Sequence, residues 1–148
     1  MQLSDLSAEV VYTYDEYLKW DTKERCELIR GKVYKLNTPN RLHQKLLLKL
    51  AVRIDNFLES STTGSLYWAP FDVRFPELST GFDQITTVLQ PDISVICDLS
   101  KLDDLGCVGA PDIVVEILSP GNNSKELRDK FEIYEESGGK GVLDFVSC

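Results

Sequence analysis

At 148 residues, with 43% hydrophobic and 27% charged residues, the chain has the make-up of one globular domain spanning 1–148 that is long enough to bury a core. A formal net charge of -8 excludes a general nucleic-acid coat, which binds by neutralising phosphate with a basic domain, though a local basic stripe could still hold phosphates. No apolar run has membrane-spanning length and no secretory leader opens the chain, so a cytoplasmic protein with no membrane association is expected; the scattered Cys26, Cys97, Cys107 and Cys148, with a lone histidine, read as reduced thiols rather than a zinc site.

In chain order, Tyr12 to Trp20 opens with Thr13 as N-cap and Glu16 three positions on, a capping-box pattern that predicts a short helix. Cys26 to Tyr34 reads as two short strands turning at Arg30-Gly31. From Arg41 to Ser60, the residues His43, Leu47, Leu50, Ile54 and Phe57 recur at spacings of four and three, widened by Leu46 and Leu58, and predict a long amphipathic helix. Its other face carries Lys45, Lys49 and Arg53, either a solvated face or a stripe that tracks a DNA backbone. Leu66 to Phe75 is aromatic and β-branched and reads as extended, and Pro76 to Thr86 as a loop. Strand-like runs follow at Val88 to Cys97 and Ile113 to Leu118, separated by a polar loop with a short helical turn over Asp98 to Ala110. Ser119 to Asn123 punctuates, Ser124 is a fair N-cap, and Lys125 to Ser137 predicts a helix ending at Gly138-Gly139, before a short strand-like tail. The order predicts an α/β fold with a mixed central sheet flanked by helices.

Two carboxylates stand out because they lie in apolar, β-branched runs: Asp92 in Gln90-Pro91-Asp92-Ile93, and Glu116 in Ile113-Val114-Val115-Glu116-Ile117-Leu118. An ionised carboxylate taken out of water needs a cation, a proton or a hydrogen-bond network. A divalent metal is the partner that makes both acids useful. The bland rivals are a salt bridge from a covering helix for Glu116 and a strand-entry turn for Asp92. Asp112 shares the strand parity of Glu116 but begins the run, and reads as a solvated strand end outside the site.

The same residues carry a resemblance. Tyr12 to Leu18, Glu27 to Gly31, His43, Ala69 to Arg74, Gln90 to Ile93 and Ala110 to Pro120, in that order, resemble the Uma-type putative restriction endonuclease family of the PD-(D/E)XK nuclease superfamily. The resemblance covers nearly the whole chain. It implies a restriction-endonuclease-like core, hydrolysis of phosphodiester bonds in DNA, Mg²⁺ as the usual ion with Mn²⁺ as a substitute, and a homodimer. It also implies that Glu27 and His43 stand near the pocket, as a further ligand and a water-positioning or proton-transfer group. Their bland rivals are a hairpin ion pair for Glu27 and a histidine bonded to a backbone carbonyl for His43.

The superfamily's lysine two residues after the strand glutamate is Leu118 here, and the resemblance implies a substitute lysine on the next helix. At about 100° per residue, Lys130 lies at the edge of a stripe formed by Leu127, Phe131 and Tyr134, while Lys125 points away. Lys130 is therefore the expected catalytic lysine, unless it merely snorkels. The expected chemistry is a metal held by Asp92 and Glu116, with Lys130 orienting water and stabilising charge on the phosphorus. By the resemblance, the tail after the last helix is short, the C-terminal strands look truncated, and an edge open to pairing is expected near Val142 to Val146. That shortening supports an alternative, a catalytically inactive nuclease fold serving as a DNA-binding or protein-interaction module. A phosphoesterase with a small substrate is a third reading.

Overall fold

The computed structural model describes residues 1–61, 63–78, 84–118, 124–138 and 143–147, the last as backbone. The first helix, α1, is a single turn, Tyr14–Tyr17, shorter than the sequence suggests. Its start is fixed as expected: the Glu16 carboxylate accepts hydrogen bonds from the Thr13 backbone N–H at 2.8 Å and from the Thr13 hydroxyl at 2.9 Å. Strands β1, Cys26–Ile29, and β2, Lys32–Lys35, form the predicted antiparallel hairpin. Its two-residue turn needs positive φ twice, supplied by Arg30 at 50° and Gly31 at 77°. A side chain at position 31 would also run into Val11, whose Cγ1 lies 2.3 Å from the site of a Cβ.

Helix α2, Arg41–Ser61, is the long amphipathic helix. It packs Leu46, Leu47, Leu50, Ala51 and Ile54 onto Ile93, Val115 and Ile117. Phe57, expected on the buried stripe, is 68% exposed, whereas Leu58 is buried as expected and Ala51 joins it. The extended stretch after α2 divides into β3, Ser65–Trp68, and β4, Asp72–Arg74, which join different sheets. The strand expected over Val88 to Cys97 is likewise two strands, β5, Val88–Leu89, and β6, Ile93–Ile96. Pro91 lacks an N–H for a ladder, and the Gln90-Pro91-Asp92 break lets one chain segment cross between sheets.

The stretch expected as a loop with a helical turn contains the turn, Leu99–Lys101, but also a small hairpin of β7, Leu102–Asp103, and β8, Gly106–Val108. Long-range pairing overrides its polar composition, since β8 runs parallel to β4. Gly106 is required there because a Cβ would sit 2.2 Å from the Asp72 carbonyl oxygen. Strand β9, Ile113–Leu118, and helix α3, Ser124–Glu136, match expectation, and β10, Leu143–Ser147, pairs parallel to β9. Residues 119–123, expected to punctuate the chain, lie with Gly139 and Val142 outside the described residues.

Two sheets result, ordered β2-β1-β5-β4-β8-β7 and β10-β9-β6-β3. Between them lies a core of Ile29, Val73, Phe75, Leu89, Ile96 and Val114, to which α3 contributes Ile133 and Tyr134. The α1 segment covers the first sheet through Tyr14 against Leu28 and Val88, and α2 covers the second. This is the mixed α/β architecture expected. Cys26, Cys97 and Cys107 are free thiols, and burial pushes Cys26 and Cys107 up to about 11. No described helix is long and apolar enough to cross a membrane.

Candidate active site

The break at Gln90-Pro91-Asp92 positions the first acid. Asp92 enters β6 where Ile93 pairs with Val115, so the next step of that antiparallel register sets Asp92 across from Glu116. There the Asp92 carboxylate takes over a backbone role: its Oδ2 accepts the Ile117 N–H at 2.7 Å. The same oxygen lies 3.1 Å from Nε2 of His43, one turn into α2. Asn40, just before the helix, holds His43 by accepting its backbone N–H on Oδ1 at 2.9 Å. An ionised carboxylate can only accept, so Nε2 is the donor in this contact, and Nδ1 is buried without a hydrogen-bond partner among the described residues.

The second acid, Glu116, is buried in β9. Its Oε1 lies 3.3 Å from Nζ of Lys130, which is only 4% exposed. Lys130 thus faces the sheet from α3, as the helix register predicts. It stands at the centre of the buried face with Ile133 and Tyr134 rather than at its edge, because Phe131 is 45% exposed. Lys125 is exposed, pointing away as expected.

Glu27, with no exposed surface, has both oxygens occupied: Oε1 accepts the Gln90 N–H at 2.8 Å and Oε2 lies 2.9 Å from Lys130 Nζ. Glu126, one helical turn before Lys130, adds a carboxylate at 3.9 Å. Lys130 is therefore ringed by acids, and they hold its ammonium well above the usual lysine range despite the opposing cost of burial. Glu116 moves the other way from an ordinary carboxylate. Burial, reinforced by Glu27 and Asp92, outweighs the pull of Lys130, and the carboxyl is pushed up to about 8.

These groups meet at a cavity of about 360 Å³ lined by His43, Asp92, Glu116, Lys130, Glu126 and Gln90, with Arg25 and Lys35 also on its wall. The structure thus brings together four of the five residues expected at a site, with Glu27 behind the wall and bonded to Lys130. Gln90, Arg25, Asn40 and Glu126 went unused in the sequence reading. Gln90 links the site to the hairpin, since its Oε1 accepts from Arg25 Nε at 3.1 Å and Nη2 at 2.9 Å. It stood beside Asp92 in the quoted motif, and Glu126 was findable as the acid four residues before Lys130. Lys45, Lys49 and Arg53 are exposed on α2 and do not line the cavity. Asp112 serves structure, accepting the Cys97 N–H on Oδ2 at 2.7 Å.

Among the described residues, no three or more His, Cys, Asp or Glu side chains form a ready metal cluster. The donor set that fits an ion is the Asp92–Glu116 pair. Two carboxylates suit Mg²⁺, which keeps several waters and binds few protein ligands. The neighbouring surplus of buried negative charge would be relieved by a cation.

A family model described as "Putative restriction endonuclease", Uma2, matches residues 14–144. An uncharacterized protein of Synechocystis sp. is 25% identical over 122 residues, covering 81% of this chain; the chain spans 60% of that protein's length. A crystal structure of a putative nuclease belonging to DUF820 from Anabaena variabilis superposes with a TM-score of 0.70 over 90% of this chain and 74% of that one. At 21% identity, that likeness is one of fold.

Proposed function

Because this chain belongs to the Uma2 putative restriction endonuclease family, we propose that it is a metal-dependent endonuclease that hydrolyses phosphodiester bonds in DNA. The observation that carries the reading is a cavity whose wall brings two strand carboxylates, Asp92 and Glu116, together with the buried ammonium of Lys130. In this reading Asp92 and Glu116 hold Mg²⁺, or Mn²⁺ in its place. The bound ion supplies Lewis-acid polarisation of the scissile phosphate and acidifies a water.

The chain's own residues do the rest. Lys130 presents a fixed positive charge where negative charge accumulates on the phosphoryl oxygens, and it needs no reorganisation because Glu27 and Glu116 hold its Nζ at 2.9 and 3.3 Å. Glu27 acts here as a positioning residue for Lys130. His43, bonded through Nε2, orients Asp92. Arg25 and Lys35, on the cavity wall, attract the flanking phosphates. The site residues, the single-domain organisation of 1–148 and a cytoplasmic setting belong to this proposal.

The test is cleavage of supercoiled plasmid with Mg²⁺, with Mn²⁺ and with chelator, beside the Glu116→Gln protein. Metal-dependent nicking or linearisation by wild type alone is expected. A protein that binds DNA equally with and without metal and never cuts it is instead the inactive module.

A further inference from the structure

The outward face of α2 carries a pattern that packing against the sheet does not explain. Arg41, Lys45, Leu48, Val52, Asp55 and Glu59 recur at spacings of four and three, the period of a coiled-coil seam. All six are exposed, with Leu48 at 65% and Val52 at 50%, so this stripe is distinct from the one facing Ile93 and Val115. Its apolar pair is central, its N-terminal end is basic and its C-terminal end acidic. None of the four charged residues has an ion-pair partner among the described residues.

We infer that this face is a self-recognition surface, on which α2 of a second copy docks antiparallel about a twofold axis between Leu48 and Val52. Reversing the helix on itself pairs Leu48 with Val52, Lys45 with Asp55 and Arg41 with Glu59, each pair made twice by the symmetry. A parallel arrangement would set Lys45 against Lys45 and Asp55 against Asp55. The charges therefore select the antiparallel twofold.

An apolar groove of about 410 Å³ runs beside the seam, lined by Leu47, Ala51, Leu66 and the 61% exposed Trp68. It draws the partner helix toward β3 and away from Lys49, the one flanking cation that would meet its own copy. The seam is about 27 Å long, and two helices in contact over that length bury less than a standard stable interface, so the association is reversible and concentration-dependent. It uses a different surface from the β10 edge and does not rest on the nuclease reading.

Sedimentation equilibrium from low micromolar to near millimolar protein tests it. Wild type should show a monomer–dimer equilibrium. Lys45→Glu and Asp55→Lys should each weaken dimerisation at least about tenfold, because each places like charges together twice. The double exchange, Lys45→Glu with Asp55→Lys, should restore it, and Arg41→Glu with Glu59→Arg gives a second, independent rescue. All four positions are exposed, so circular dichroism should be unchanged. A wild type that stays monomeric throughout, single reversals that leave dimerisation unaltered, or double exchanges that fail to rescue either pair would each overturn the inference.

Discussion

Two polar clusters meet at Gln90, and their charge is balanced differently. On the hairpin side, Asp72 accepts the Tyr14 hydroxyl at 2.8 Å and the Gln90 side-chain amide at 2.9 Å, while Arg74 pairs with Asp103 and lies 5.5 Å from the Tyr14 ring centroid. There Asp103 has the Arg74 cation and Asp72 is held by neutral donors alone, so the network closes on itself with a smaller excess of acid. On the other side, Glu27, Asp92, Glu116 and Glu126 share one lysine and a histidine. The paired cluster is what structure alone requires. The acidic surplus is a destabilising arrangement that a bound cation would relieve, and it borders a cavity.

The contrast is broken most sharply by matched amide substitutions. Glu116→Gln and Asp92→Asn should each lower metal-dependent plasmid cleavage by at least about 10³-fold, whereas Asp72→Asn should leave it within a few-fold. Equal losses at Asp72 and Glu116 would show that the two clusters do not divide into scaffold and site. Isothermal titration with Mn²⁺ adds a second readout, since Glu116→Gln should abolish the binding heat.

Lys130→Ala should remove cleavage and also destabilise the fold by about 3–5 kcal/mol in urea denaturation, because it leaves Glu27 and Glu116 buried without their cation. Adding Glu116→Gln to that variant should recover part of the stability, as one uncompensated charge disappears. Tyr14→Phe removes one hydrogen bond to Asp72 and should cost about 1–2 kcal/mol with cleavage unchanged.

The acidic surplus also has a pH signature. Glu116 is pushed up to about 8 by burial, so in metal-free protein the unfolded chain gives up this proton first as pH rises. Its contribution to stability therefore falls from the ordinary carboxylate range up to about pH 8 and levels off above it. Thermal melts of wild type and Glu116→Gln between pH 5 and pH 8 should show a smaller decline in the variant, and saturating Mg²⁺ should raise the wild-type melting temperature more at pH 8 than at pH 5. The smallest effect belongs to Lys125→Ala, expected within about 0.5 kcal/mol of wild type and still active, since that lysine is exposed on the far side of α3.

Where the sequence reading held and where it failed follows from the range of the forces involved. The capping box at Thr13, the Arg30-Gly31 turn, the span of α2 and the choice of Lys130 over Lys125 rest on contacts a few residues apart, and helical or turn periodicity records those directly. Phe57 and Phe131 were misplaced because both helices are apolar beyond their buried faces. Periodicity alone gives a stripe its width without saying which edge meets the sheet.

The amino-acid order by itself determined that buried carboxylates would have to be accommodated, since Asp92 and Glu116 are embedded in runs that only a sheet interior satisfies. It also determined the self-complementary charge order along α2. Only the tertiary structure decided that the chain crosses between two sheets at Pro91, that Glu27 reaches Lys130 from the other sheet, and that Gln90 ties one cluster to the other. Gln90 and Glu27, for example, stand 63 positions apart. At such separations no local pattern records a pairing, and long-range packing alone selects the partner.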